Sequence, residues 1–220
     1  TMSDTEKSGG RRVAVITGAS SGIGKETAKA LVKQGWKVIG LGRDPGRCRQ
    51  AEQEIAAHCD AGTLRMLCGD LAELADVRRI AAEIAQQTDR VDVLLNIAGG
   101  VSRERQLTQE GNEYTFAGNH LGHFMLVQQL LPLLRASVGA PGAVRVVNVS
   151  SSAHQVCEGV DWDDVQMKNN FISILAYSRA KLANLLFTRE LAKRLKADGI
   201  VVHAMHPGIV GSNFAAHGDT

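Results

Sequence analysis

The chain is 220 residues long, 44% apolar and 22% charged, which suits one α/β domain with a sizeable core. Its formal net charge is only +2, with both signs interspersed, so neither nucleic acid nor an anionic membrane is indicated as the main partner. No run reaches the roughly eighteen apolar residues of a membrane span. FMLVQQLLPLL is broken by Gln128, Gln129 and Pro132, and the polar start TMSDTEKSGGRR has no apolar leader. A cytoplasmic protein without a membrane anchor is expected, with a flexible tail over 1–10 and one domain over 11–220.

In chain order, RVAVIT (12–17) predicts the first strand and GIGKETAKALVKQG a helix closed by Gly35. KVIGLG (37–42) is the second strand, followed by a helix over about 46–57. LRMLCGD (64–70) is the third, with its helix over 73–87. VDVLLNIAG (91–99) is the fourth, and a long helix follows over about 112–135. AVRVVNVS (143–150) is the fifth, then come a helix over about 173–196 and a sixth strand, IVVHAMH (200–206).

These strands are continuously apolar rather than alternating, so helices must cover both faces of the sheet. Strand–helix–strand repeated this regularly means parallel strands with right-handed crossovers. The fold expected is α/β, a single doubly wound, Rossmann-type parallel sheet, whose ligands sit at the strand carboxyl ends. Residues 153–172 form a connection too long for a plain turn and are a candidate substrate-lining segment.

VITGASSGIGK (15–25) joins the first strand to the first helix. Gly18, Gly22 and Gly24 remove side chains where the backbone must turn and approach a diphosphate, and the helix N-terminus offers N–H groups to that anion. The spacing Gly18-xxx-Gly22-x-Gly24 is wider than GxGxxG, and no Lys followed by Ser or Thr stands where a nucleotide triphosphatase needs one. About twenty residues on, the end of the second strand meets the adenosine ribose. The chain there reads GLGRD. Arg43 comes first off the strand, with Arg47 and Arg49 nearby, which favours the extra phosphate of NADP; Asp44 keeps NAD possible.

In YSRAKLANLLF (177–187), Tyr177 and Lys181 are four apart and share one helix face. That spacing alone equally suits a snorkelling lysine beside a half-buried tyrosine. Were the pair to serve hydride transfer to a carbonyl, the alkoxide formed would need a proton, and a phenol of pKa near 10 is a sluggish base at neutral pH. An ammonium one turn away is expected to favour the phenolate and lower that pKa. The four cysteines (Cys48, Cys59, Cys68, Cys157) show no CxxC spacing, so free thiols without disulfide or zinc are expected. His120 and His123 lack the third ligand of a metal site, and a structural role is expected for both.

With TGASSGIG, LLNIAGG, NVSSSAH and YSRAK in this order, the chain resembles the short-chain dehydrogenase/reductase family from about Arg12 to Phe214. GNHLGHF (118–124) and YSRAKLANLLF are most similar to its retinol-dehydrogenase-like branch. The resemblance implies a catalytic tetrad. Tyr177 is the acid or base, Lys181 holds the nicotinamide ribose, Ser151 orients the carbonyl, and Asn119 anchors a relay water. Ser150 and Ser152 flank Ser151, and only the motif alignment separates the three. The cofactor contacts implied are Gly18, Ser20, Ser21, Gly22, Ile23, Gly24, Arg43, Asp70, Leu71, Asn96, Ala98, Gly99, Tyr177 and Lys181. Pro207, Gly208, Val210 and Ser212 belong to the segment HPGIVGS, which closes over the nicotinamide in that family. Ile97 replaces the second Asn of the family's NNAG, and Ser212 stands where threonine is common.

The function expected is an NADP-dependent oxidoreductase that moves a hydride between nicotinamide and a hydrophobic carbonyl or alcohol. A non-catalytic NAD(P)-sensing regulator and a reductase of carrier-bound ketoacyl groups are the alternatives. Both long helices are apolar over a wide arc, through Phe116, Leu121, Phe124, Leu126, Leu130, Leu133 and Leu134 on one and Leu182, Leu185, Leu186, Phe187, Leu191 and Leu195 on the other. That suggests burial on two sides; the resemblance implies a homodimer or homotetramer paired through these helices, and a thick single core is the alternative. The further strand and lid helices usual in the family are not expected within the residues up to Thr220.

Overall fold

The computed structural model describes residues 10–57, 59–139 and 143–208. The tail up to residue 9, Val210 and Ser212 lie outside them. Six strands form one parallel sheet in the order β3-β2-β1-β4-β5-β6. They are β1 (Val13–Thr17), β2 (Lys37–Gly42), β3 (Leu64–Cys68), β4 (Val93–Asn96), β5 (Val144–Val149) and β6 (Ile200–Met205). The chain moves outward on one side from β1 to β3, then crosses back to β4 and proceeds the other way. That reversal opens a crevice above the carboxyl ends of β1 and β4.

The helices are α1 (Gly22–Lys33), α2 (Pro45–Ala56), α3 (Leu74–Gln87), a short α4 (Tyr114–Phe116), α5 (Gly122–Ala136) and α6 (Ser173–Leu195). Helix α3 shows how they attach: Val77, Ile80, Ala81 and Ile84 recur at helical spacing and are buried. They join Leu126, Leu130 and Leu134 of α5 and Leu191 and Leu195 of α6 on one face of the sheet. On the other face, Ala28 and Val32 of α1 and Cys48 and Ile55 of α2 pack with Trp36, Val38 and Met66. All of β1 is buried, as a central strand covered on both sides must be.

Two expectations about the elements need correction. The helix expected over 112–135 is not continuous, because α4 passes into a wider turn, Ala117–Leu121, before α5. Within that turn the Gly122 N–H bonds the Ala117 carbonyl, five residues back instead of four. The fourth strand, expected over 91–99, spans only Val93–Asn96, because the backbone beyond is held by side chains instead of a neighbouring strand. Thr17 Oγ1 accepts the N–H groups of Ile97 and Ala98 at 2.8 and 2.9 Å. Among the described residues no helix is long and apolar enough to cross a membrane.

Candidate active site

Gly18 follows β1 with φ at +72°, and a Cβ there would lie 3.1 Å from Ala98 Cα. A Cβ on Gly24 would come within 2.2 Å of the Gly18 carbonyl oxygen, so the turn and the first turn of α1 are pressed together as only glycine permits. The residue before α1, Ser21, makes no side-chain cap bond, which leaves the first N–H groups facing a cleft of about 270 Å³. Gly18, Ser20, Ser21, Gly22, Ile23 and Gly24 line it, with Arg43, Arg47, Asp70, Leu71, Ala98, Gly99 and Asn119. Such a cradle, with N–H groups converging where no side chain fits, suits a diphosphate.

At the β2 end of the cleft, Arg43 follows the strand and its Nη1 donates to Tyr114 Oη at 2.9 Å. The Tyr114 hydroxyl donates in turn to Asp70 Oδ2 at 2.5 Å. Sequence reasoning missed Tyr114, since nothing local ties it to residues 71 and 44 positions away. Asp44 turns elsewhere. Its Oδ1 accepts the Arg47 N–H at 2.6 Å, capping α2 ahead of Pro45. It does not line the cleft.

Beside Gly99, which lines the cleft, α6 presents Tyr177 and Lys181, 8% and 2% exposed, on one face; neither they nor Ser151 line the cleft itself. Lys181 Nζ donates to the Val149 carbonyl at 3.1 Å and lies 5.4 Å from the centroid of the Tyr177 ring. Burial drives its pKa down to about 8. Tyr177 shares a hydrogen bond with Ser151, which favours ionisation, but burial has the larger effect and raises the phenol above its usual value. The net lowering expected from Lys181 is thus not seen, because desolvation outweighs the Ser151 hydrogen bond, the one effect that favours the phenolate.

The structure also separates the three serines. Ser150 Oγ is buried and donates to the Lys181 carbonyl at 2.9 Å, and Ser152 is exposed at the start of a short 3-10 turn. Only Ser151 meets the phenol, with its Oγ accepting the Ala153 N–H at 3.2 Å. His154 donates from Nδ1 to the Ser151 carbonyl at 2.6 Å, so it supports that serine's backbone.

Asn119 is 1% exposed and grips the loop after β4. Its Nδ2 donates to the carbonyls of Gly100 and Thr115 at 2.7 and 2.8 Å, and its Oδ1 accepts the Gly100 N–H at 3.3 Å. A Cβ on Gly99 would meet that Oδ1 at 2.5 Å and Lys181 Nζ at 3.2 Å, so the close approach requires glycine. The wider turn exposes the Asn119 carbonyl sideways, where it accepts from Asn184 Nδ2 at 3.0 Å and faces His123 Nδ1 at 3.0 Å. A carbonyl can only accept, so His123 Nδ1 carries the proton and its Nε2 accepts from Thr17 Oγ1 at 2.9 Å. Complete burial holds His123 neutral, with its pKa down at about 3. A neutral chain thus runs from the β1 end through Thr17 and His123 to Asn119 and α6. His120 bonds Asn184 Oδ1 at 2.9 Å, giving both histidines structural partners.

Asn96 is placed differently from the expectation of a cofactor contact. It does not line the cleft, and its Nδ2 donates to Asn148 Oδ1 at 2.8 Å within the buried layer. Pro207 and Gly208 follow β6 at the same edge of the sheet, but neither lines the cleft.

The short chain dehydrogenase family model matches residues 12–219. Human retinol dehydrogenase 13 is 39% identical over 219 residues, covering 95% of this chain and 63% of its own length. Mouse retinol dehydrogenase 12 is 40% identical over 199 residues, 90% of this chain and 61% of its own. The chain therefore spans less than two thirds of the length of these relatives. Among solved structures, the Pseudomonas aeruginosa RhlG/NADP active-site complex superposes with a TM-score of 0.76 at 30% identity, covering 98% of this chain and 79% of that one. A metagenomic short-chain oxidoreductase in complex with NADP superposes at 0.71 with 25% identity, over 90% of this chain and 82% of that one. The glycine cradle over β1, the Tyr177–Lys181 pair on α6 and these matches lead to one conclusion: the chain belongs to the short-chain dehydrogenase family.

Proposed function

We propose that this chain carries the cofactor and catalytic sites of an NADP-dependent oxidoreductase that interconverts an alcohol and its carbonyl, with a hydrophobic substrate. The observation that carries this reading is the Tyr177 hydroxyl, hydrogen-bonded to Ser151 and one helical turn from the buried Lys181. The cradle at Gly18–Gly24, in which a Cβ on Gly18 or Gly24 would collide with backbone, fits a dinucleotide diphosphate. Ser20, Ser21, Gly22 and Ile23 would hold the phosphates, Asp70 and Leu71 the adenine, and Ala98, Gly99 and Lys181 the nicotinamide half. Arg43, with Arg47 beside it, would take the 2′-phosphate. Engagement of Asp44 in capping α2 supports NADP over NAD, because a carboxylate committed to a helix N-terminus is not offered to a ribose.

When bound, the nicotinamide supplies or accepts a hydride; the residues manage the proton and the charge. Tyr177, raised in pKa and therefore protonated at neutral pH, gives its proton to the substrate oxygen during reduction and takes one during oxidation. Ser151 bonds the same oxygen and keeps the phenol oriented. The Lys181 ammonium steadies negative charge as it forms on the phenol. Asn119 and the Thr17–His123 chain keep the β4 loop and α6 in register, so these groups meet at one point. The names of the retinol dehydrogenase relatives support a retinoid-like or other hydrophobic substrate.

A panel of hydrophobic aldehydes, ketones and alcohols, assayed on the full-length protein with NADP(H) and NAD(H), tests this. Carbonyl-dependent loss of NADPH absorbance, faster than with NADH, is expected. Binding of NADPH without turnover of any substrate would instead establish a sensor, and activity confined to carrier-bound ketoacyl thioesters would establish the other alternative.

Association through α5 and α6 is part of the same proposal. Phe124 and Leu186 are 42% and 45% exposed, and the Phe124 and Phe187 rings meet in a tilted contact, centroids 5.1 Å apart, beside His120. Two copies facing each other across this patch remove it from water. Light scattering should return two or four times the chain mass; a monomer at micromolar concentration removes this part of the proposal.

A further inference from the structure

We propose that Tyr114 is the positioning residue for Arg43: it holds the guanidinium across the adenosine end of the cleft and thereby sets the preference for a 2′-phosphorylated dinucleotide. The inference rests on the NADP reading above and adds to it a residue that does not come from β2 or the glycine turn.

The geometry has three parts. Arg43 stands at the end of β2, where a long side chain with a free rotor would lose rotamer entropy on grasping a phosphate. The bond from its Nη1 to Tyr114 Oη, 2.9 Å, imposes that order in advance and engages one edge of the fork. The remaining N–H groups stay available for a bidentate grip on a phosphate. Tyr114 is anchored independently on α4, across the cleft from β2, and lines it.

The hydroxyl proton is committed to Asp70 Oδ2, so its lone pairs are turned toward the guanidinium. Donor and acceptor polarise one another in the order Arg43, Tyr114, Asp70. Asp70 is held in turn by the Ala72 N–H on Oδ1 at 2.9 Å. Among the described residues this carboxylate is the one negative group lining the cleft and would repel a 2′-phosphate; a hydroxyl donated to it dampens that repulsion. Burial and the Asp70 charge push the Tyr114 pKa up to about 12, so the hydroxyl keeps its proton throughout the neutral range. A phenylalanine would retain the ring and lose only the relay.

The test compares wild type, Tyr114→Phe, Arg43→Ala and the double variant by calorimetric titration. The probes are adenosine 2′,5′-bisphosphate and adenosine 5′-monophosphate, which occupy the adenosine end without involving turnover. Wild type should prefer the bisphosphate. Tyr114→Phe should reduce that preference by about 10-fold, the scale of one hydrogen bond to a charged group, while monophosphate affinity changes by less than about 3-fold. In the Arg43→Ala background the same substitution should leave the preference unchanged, because the group it positions is gone. Three results would overturn the proposal: an unchanged ratio in Tyr114→Phe, a higher ratio (Tyr114 then withholds Arg43 from the phosphate), or losses that simply add in the double variant. Absence of any preference in wild type would remove the NADP reading itself, and this inference with it. A wild-type preference that survives Tyr114→Phe would remove this inference alone.

Discussion

Tyr177→Phe should abolish most turnover, by a factor on the order of 10²–10⁴, the usual contribution of a positioned proton donor, while dinucleotide affinity stays nearly constant. The substitution removes one oxygen from a ring that is 8% exposed, so packing on α6 is preserved while the bond to Ser151 is lost. The pH profile adds a second check. Because burial raises the Tyr177 pKa above its ordinary value, the phenol is a filled acid at pH 7 and a poor base. Carbonyl reduction by the wild type should therefore be flat through neutrality, and alcohol oxidation should climb through the alkaline range. Stopped-flow measurement of both directions on wild type and variant checks this, and an alkaline rise that survives in Tyr177→Phe would assign the proton transfer to another group.

Lys181→Met should stabilise the fold and inactivate the enzyme together. The ammonium is 2% exposed and donates to the Val149 carbonyl, and burial alone governs its proton affinity. Its pKa, about 8 in the folded chain against 10.5 for the free side chain, carries a definite sign. Between these values the unfolded chain binds the extra proton, so stability rises as pH increases from 8 to 10.5, and the full penalty is present below pH 8. That penalty is on the order of 3 kcal/mol at pH 7, from which the loss of the bond to Val149 subtracts about 1 kcal/mol. Urea unfolding at pH 7, without added dinucleotide, should show Lys181→Met more stable by about 2 kcal/mol, with the gain shrinking toward pH 10. A variant less stable than wild type at pH 7 would mean that the buried ammonium holds the sheet edge to α6 more strongly than desolvation opposes it. The expected pairing of higher stability with lost activity is the signature of a charge kept for chemistry.

Much of this protein could be read from local pattern. Strands buried on both faces leave unbroken apolar runs, which is why VAVIT and VRVVNV stand out, and the helices between them keep a helical period. The turn from Gly18 to Gly24 and the pair Tyr177–Lys181 lie within one or two turns of backbone, so spacing alone brings their atoms together. The role of Asp44 also had a local signal, a carboxylate directly before proline at the first helical position, although it was weighed as a ribose ligand instead.

Other features depended on contacts that spacing does not encode. The wider turn at Ala117–Leu121 exists because the Asn119 carbonyl finds partners in Asn184 and His123, the first of them 65 residues away. Thr17 meets His123 across 106 residues and Arg43 meets Tyr114 across 71, both only after β1, β2 and the α4–α5 segment converge on one crevice. The sign of the Tyr177 pKa shift likewise waited on burial, which depends on what α6 packs against. Sequence by itself therefore determined the order of the elements, the glycine turn and the shared helix face of Tyr177 and Lys181, because each is set by neighbours along the backbone. Only the tertiary structure decided which serine meets the phenol, that Asn96 faces inward and how Arg43 is held, because hydrogen bonds between distant segments form where the folded chain places them.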